Sequence, residues 1–219
     1  MGNSETRQFQ KSLNPLPRLY AIADASFADP VEVARALFDG GVRLLQVRNK
    51  TSNARELLEQ VERVLQFAPA GAAVFVNDRA DVARLAGAAG VHLGQTDMPA
   101  ALARRVLAQD QLLGLSTHSL EQALEADTLP VDYIAVGPVF PTSTKLNPDP
   151  VLGIKGLADI CGAVHKPVVA IGGIRLENAR EVFEAGAQSI AVIRDLLSST
   201  DIKARALEWI REVDRSGGL

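Results

Sequence analysis

Eight short apolar runs recur along this 219-residue chain with helical patterns between them, and this alternation constrains the fold more than any other feature. The runs are Leu19 to Ala23, Leu44 to Val47, Ala73 to Val76, Val91 to Leu93, Leu112 to Leu115, Tyr133 to Val136, Val168 to Ile171 and Ile190 to Ile193. Most are continuous apolar stretches rather than alternating ones, as expected of strands covered on both faces. Val31, Ala34, Leu37 and Phe38, then Leu57, Leu58, Val61, Val64 and Leu65, repeat at the spacing of helices with one buried face. Further helices are expected over Ala100 to Leu107, Leu120 to Ala126, Gly156 to Val164, Leu176 to Ala185 and Ile202 to Val213. Asp29-Pro30 marks a helix start, while Gly40-Gly41 and Gly186 mark helix ends. Eight strand–helix units in a chain of this length predict an α/β fold, a single (β/α)8 TIM barrel; a doubly wound open sheet is the competing arrangement.

Residues 1–17 lack periodicity and end in Pro15 and Pro17, so they read as a disordered N-terminal tail before a barrel domain at 18–219. A net charge of -3 gives no basic footprint for nucleic acid, although local cations can still hold small anions. The single cysteine, Cys161, excludes an intramolecular disulfide and fits a reducing, cytoplasmic setting; on an apolar helix face it reads as a small core residue. No apolar run approaches the roughly 20 residues of a membrane helix, so no membrane partner is expected. Composition leaves a homo-oligomer open.

In a barrel of parallel strands the carboxyl ends meet at one mouth, so the residues just beyond each run converge there. Gln46, Arg48 and Lys50 alternate along the end of the second run and share a face. Two cations pointing into a barrel mouth repel unless something anionic lies between them, and phosphate or pyrophosphate suits that place. Asn77-Asp78 and Asp97 end the next two units. Two hard carboxylates suit magnesium, which completes its shell with phosphate oxygens and water, yet as N-caps of the succeeding helices they would need no metal. Both roles are open at this level. Gly172-Gly173 after the seventh run suit either a tight turn or a phosphate, and their place in a barrel favours phosphate. Strand starts advance by 18 to 29 residues until Tyr133, from which Val168 lies 35 residues on. The surplus, Gly137 to Gly153, is long enough to act as a functional lid and carries Thr142, Thr144 and Lys145. His92, His118 and His165 show no metal spacing and read as structural or solvent-facing.

Taken together, these segments resemble the thiamine phosphate synthase family over about Leu19 to Leu196. Gln46-Val47-Arg48-Asn49-Lys50 is similar to its Gln-x-Arg-x-Lys strand, Asn77-Asp78 to its metal and pyrophosphate pair, and Val91-His92-Leu93-Gly94-Gln95 with Asp97 to its second metal segment. Gly114-Leu115-Ser116-Thr117-His118 resembles its pyrimidine-contacting strand, Gly137 to Lys145 its sixth loop, and Ile171-Gly172-Gly173-Ile174 its glycine turn. The resemblance implies a Mg²⁺-dependent transferase that condenses 4-amino-5-hydroxymethyl-2-methylpyrimidine diphosphate with hydroxyethylthiazole phosphate. By that match Asp78 and Asp97 bind Mg²⁺, while Arg48, Lys50, Asn77 and Lys145 hold the pyrophosphate. Gln46 and Ser116 orient the pyrimidine, and Thr142, Thr144, Gly173 and the backbone at Ile193 meet the thiazole phosphate. Arg48, Lys50, Lys145 and Ser116 carry the catalysis.

Two rivals share the fold. A thiazole tautomerase-like isomerase carries a catalytic histidine after the glycine of strand six, where this chain has Pro138. A non-catalytic phosphate-ligand sensor would not need Lys50, Asp78, Asp97 and Lys145 together. Arg194-Asp195 departs from the small residue common in the family after the eighth strand, whereas Asn49, where an acid is common, faces away from the mouth.

Overall fold

A computed structural model describes residues 15–142 and 149–216. Each apolar run forms a strand: β1 (Leu19–Asp24), β2 (Leu44–Arg48), β3 (Ala73–Asn77), β4 (Gly90–Leu93), β5 (Leu112–Thr117), β6 (Tyr133–Val136), β7 (Val168–Ile171) and β8 (Ser189–Val192). All neighbours are parallel and the strands close in sequence order, with β8 returning to β1 so that Tyr20 lies opposite Ala191. Closure makes this a (β/α)8 barrel and excludes the open sheet.

The helices around it are α1 (Pro30–Asp39), α2 (Ala54–Phe67), α3 (Ala80–Ala86), α4 (Ala100–Val106), α5 (Leu120–Thr128), α6 (Gly153–Ala163), α7 (Ala179–Glu184), α8 (Arg194–Leu197) and α9 (Ile202–Ser216). Asp29 caps α1 as expected, accepting from the Val31 N–H at 3.0 Å, and Gly40 ends it. Helix α2 starts with a capping box between Asn53 and Glu56 and turns Leu57, Val61 and Val64 inward. The pattern expected over Leu176 to Ala185 divides into a 3₁₀ turn at Leu176–Asn178 followed by α7.

Alternation along the strands separates two cores. Outward residues such as Ala21, Leu45, Val47, Val74 and Val76 pack under the helices, while Tyr20, Ile22, Leu44, Phe75, Tyr133, Ala135, Val169 and Ala191 fill the barrel. Tyr20, Phe75 and Tyr133 meet edge to face with ring centroids 5.8 to 6.1 Å apart. Gly114 makes room for this cluster: a Cβ there would lie 2.1 Å from Tyr133 Cζ, a separation no side chain tolerates. Leu16 departs from its expected place in a tail. It is buried beside Tyr20 and Ile22 at the amino-terminal end of the barrel, and the neighbouring Pro17 carbonyl accepts from Ser189 Oγ at 2.7 Å. Residues 1–14 of the expected tail lie outside the described residues. Among the described residues no helix is long and apolar enough to cross a membrane.

Candidate active site

A cavity of about 1030 Å³ opens at the carboxyl ends of the strands. Strand β2 shows how alternation builds it: Leu44 fills the barrel, Gln46 is buried above it, and Arg48 and then Lys50 line the cavity. The two cations do not face each other bare. Arg48 donates to the carboxylate of Asp24, which is 1% exposed and also accepts from the Ser26 N–H at 2.9 Å. Lys50 Nζ lies 3.2 Å from Asp78. Protein acids therefore balance part of the positive charge that the sequence pattern assigns wholly to a ligand. Asn49 turns away, donating to Gln60 on α2 at 3.1 Å.

Neither aspartate caps a helix. Arg79 precedes α3 and Pro99 precedes α4, and neither start has a side-chain cap. Asp78 adopts the left-handed conformation with φ 64°, and its N–H donates to the His92 carbonyl at 2.8 Å. Backbone strain of this kind persists where surrounding structure fixes it, often at functional sites. Asp97 folds back to accept from the Gly94 N–H at 2.6 Å. Burial pushes the Asp97 carboxyl above its ordinary value, the Gly94 contact opposes this, and the nearby Asp78 carboxylate pushes it further up. A carboxylate whose charge is disfavoured by burial and by a second carboxylate beside it forms a place that a cation relieves. Among the described residues no group of three or more His, Cys, Asp or Glu side chains gathers as for a zinc-type ion. A pair of hard oxygens fits Mg²⁺, which takes one or two carboxylates and fills its shell from phosphate and water.

Opposite, Gly172 and Gly173 have φ of 99° and 67°. Glycine is required here by packing as well: a Cβ on Gly173 would lie 2.5 Å from the Pro141 carbonyl oxygen. The stem of the sixth loop is stitched to this turn by Val139 N–H to Ile171 O and Phe140 N–H to Gly172 O, both 2.9 Å. The N–H groups of Gly173 and Ile193 donate to no group among the described residues and lie at the cavity wall. Asn77, Ser116 and Thr142 also line it, whereas Thr144 and Lys145 lie outside the described residues. Arg194 packs over the Phe27 ring at 5.4 Å while lining the cavity, and Asp195 accepts from Arg205 and from Trp209 Nε1 at 2.7 Å, tying α9 to the end of β8.

Four residues that the sequence alone does not place in the site prove to support it. Asp24 holds Arg48; Tyr20 accepts from Gln46 at 3.0 Å; Tyr133 and His92 hydrogen-bond at 2.9 Å, and His92 reaches Ser116 at 2.8 Å. Burial holds the His92 imidazole down at about 4, although the Asp78 charge pulls the other way. The usable signals are an acid closing the first apolar run and a glycine inside the fifth. Of the other histidines, His118 lines the cavity and contacts the Gly137 carbonyl at 2.6 Å, and His165 pairs with Asp127 at 2.9 Å on the surface. Cys161 packs against the core, where burial pushes its thiol up to about 11, as expected of an inert small residue.

Carboxylates, cations and a glycine turn gathered at the carboxyl end of a closed parallel barrel define an enzyme of the phosphate-handling barrel class. The chain belongs to the thiamine monophosphate synthase family, whose model matches residues 19–196. It is 46% identical over 203 residues to thiamine-phosphate synthase of Koribacter versatilis, covering 90% of this chain and 95% of the relative. Against the Shouchella clausii thiamine-phosphate synthase it is 43% identical over 191 residues, 85% of this chain and 91% of that one. Among solved structures, thiamine phosphate pyrophosphorylase from Pyrococcus furiosus aligns with a TM-score of 0.84 at 39% identity, covering 92% of this chain and 97% of its own.

Proposed function

We propose that the protein joins 4-amino-5-hydroxymethyl-2-methylpyrimidine diphosphate to hydroxyethylthiazole phosphate, giving thiamine phosphate and pyrophosphate, as a cytoplasmic transferase acting on small molecules. The observation that carries this reading is the convergence of Asp78, Asp97, Lys50 and Arg48 on one cavity whose far wall is the Gly172-Gly173 turn. The bond between the pyrimidine methylene carbon and a diphosphate oxygen breaks, its electron pair leaving with pyrophosphate. The thiazole nitrogen then supplies the pair that forms the new carbon–nitrogen bond. Charge accumulates on the departing diphosphate, so the barrier falls when fixed positive groups meet it. Arg48, Lys50, Asn77 and Lys145 take that role, with Arg48 already oriented by Asp24. Mg²⁺ held by Asp78 and Asp97 would neutralise further charge on the leaving group.

Gln46 and Ser116 orient the pyrimidine ring. Thr142, Thr144, and the backbone N–H groups at Gly173 and Ile193 hold the thiazole phosphate so that its nitrogen lies near the electrophilic carbon before water does. A tautomerase needs a histidine where Pro138 stands, and His118 nearby already faces the Gly137 carbonyl and Asp149. The test incubates pure protein with both phosphorylated substrates and Mg²⁺ and tracks both products. Equal amounts of thiamine phosphate and pyrophosphate are expected, and their absence with substrates that a known synthase consumes would overturn the reading.

A further inference from the structure

Beneath the mouth, five polar side chains run in one unbroken line across the barrel. Gln46 Nε2 donates to Tyr20 Oη at 3.0 Å; Tyr20 Oη lies 3.2 Å from Tyr133 Oη; Tyr133 Oη lies 2.9 Å from His92 Nδ1; and His92 Nε2 lies 2.8 Å from Ser116 Oγ. Tyr20 and Tyr133 are buried at 2% and 1% exposure, and both end members, Gln46 and Ser116, line the cavity. The His92 ring also stacks on Tyr133, with centroids 5.6 Å apart.

Proton counting orders this line. An amide nitrogen only donates, so Tyr20 Oη accepts from Gln46 and sends its single proton to Tyr133. Tyr133 then sends its own proton to His92 Nδ1, which must be the bare nitrogen. A neutral imidazole with Nδ1 bare carries its proton on Nε2 and donates to Ser116 Oγ. Ser116, already accepting, turns its proton toward the cavity, and the Gln46 carbonyl oxygen there accepts from no group among the described residues. Burial keeps both phenols protonated, and an imidazole that accepts at Nδ1 while donating at Nε2 is the neutral ring. Hydrogen bonds aligned in this way reinforce one another inside a low-dielectric core.

We propose that Tyr20, Tyr133 and His92 are positioning residues: they lock His92 as the Nε2–H tautomer and so present Ser116 as a donor and Gln46 as an acceptor to the substrate ring. This rests on the reaction proposed above, whose aminopyrimidine offers amino N–H groups and bare ring nitrogens. A ring bearing an oxo group and a protonated nitrogen at those positions would set acceptor against acceptor and donor against donor. Two mismatched buried groups imply discrimination on the order of 100-fold or more in kcat/KM.

The tautomer is read first, by nitrogen NMR of histidine-labelled protein without substrates, the His92 signals being assigned by their loss in His92→Gln. A bare Nδ1 and protonated Nε2 are expected; the reverse tautomer would overturn the proposal. Because no turnover is involved, a correct tautomer in a protein that forms no thiamine phosphate would refute the reaction and not the relay. Tyr133→Phe removes the donor to Nδ1. With its fold checked by circular dichroism, it should mix the tautomers and raise KM for the pyrimidine diphosphate roughly tenfold, leaving KM for the thiazole phosphate unchanged. Unchanged tautomer and KM would count against the relay. His92→Gln keeps an amide donor toward Ser116 and should retain at least about ten times the kcat/KM of His92→Leu. Equal losses in the two variants would reduce His92 to packing.

Discussion

Replacing Asp24 by Asn tests how the first strand controls a cation on the second. The carboxylate is 2% exposed at its side chain and holds both the Ser26 N–H and the Arg48 guanidinium, whose own side chain is 22% exposed. Asparagine keeps the shape and an acceptor for Ser26 but loses the charge that fixes Arg48. A hydrogen bond to a charged group contributes about 1.5–3 kcal/mol, and water reaching Arg48 puts the loss near the lower end, at about 1.5–2 kcal/mol. If that orientation is used when diphosphate departs, kcat/KM should fall roughly 10- to 30-fold at 1.36 kcal/mol per decade. Arg48→Ala should destabilise the fold more, by about 3 kcal/mol, because it strands the better-buried charge. The double variant Asp24→Asn/Arg48→Ala should recover part of that stability, since no unpaired charge remains. Urea unfolding of the four proteins gives the coupling, and steady-state kinetics gives the catalytic loss. Additive stabilities within about 0.5 kcal/mol, with Asp24→Asn at full activity, would mean that Asp24 neither stabilises nor orients Arg48.

The acidic pair should behave as a site that gives up stability for function. Asp97→Asn is expected to unfold at the same or higher temperature than the parent while turnover collapses, because the raised Asp97 carboxyl gains relief when its charge is removed. Mg²⁺ with pyrophosphate should raise the parent's Tm, by an amount equivalent to about 2.7 kcal/mol at one hundred times Kd, and Asp78→Asn should abolish the rise in thermal shift assays. His92 predicts a pH effect of definite sign. Its imidazole titrates at about 4 when folded and near 6.5 when unfolded, so the unfolded chain binds the extra proton between those values. Stability should rise with pH through that window, by about 3 kcal/mol in all, and His92→Gln should remove that component from the denaturation profile. Gly173→Ala forces a Cβ to 2.5 Å from Pro141 O at φ 67°, which should cost about 2–3 kcal/mol, seen as a Tm drop of roughly 4–12 °C, and weaken thiazole phosphate binding.

The barrel is legible in the sequence because its strands are covered on both faces and its helices on one, and Leu44 to Lys50 even carries the inward alternation that reaches the mouth. Helix α3 is harder to see: Ala80–Ala86 spans two turns, and its alanines mark neither a buried nor an exposed face. Leu16 is hidden among proline punctuation, since a single leucine has no period. For Asp78 and Asp97 a one-dimensional pattern cannot choose between cap and ligand. The choice depends on a positive φ and on a side chain folding back to Gly94, both set by tertiary packing. Asp24 and the Tyr20–Tyr133–His92 line escape the sequence for another reason. Their partners lie 24 to 113 residues away and meet only through strand register, with Gly114 the one local sign that a large ring crosses the barrel.

If Asp78, Asp97, Arg48 and Lys50 form one diphosphate–metal site, crystals soaked with Mn²⁺ and pyrophosphate will show it through the anomalous signal of the ion. A single peak within coordinating distance of both Asp78 and Asp97, with pyrophosphate oxygens on Arg48 and Lys50, is the expected result. A metal bound elsewhere, or one that occupies the Asp78→Asn/Asp97→Asn protein equally well, would contradict it.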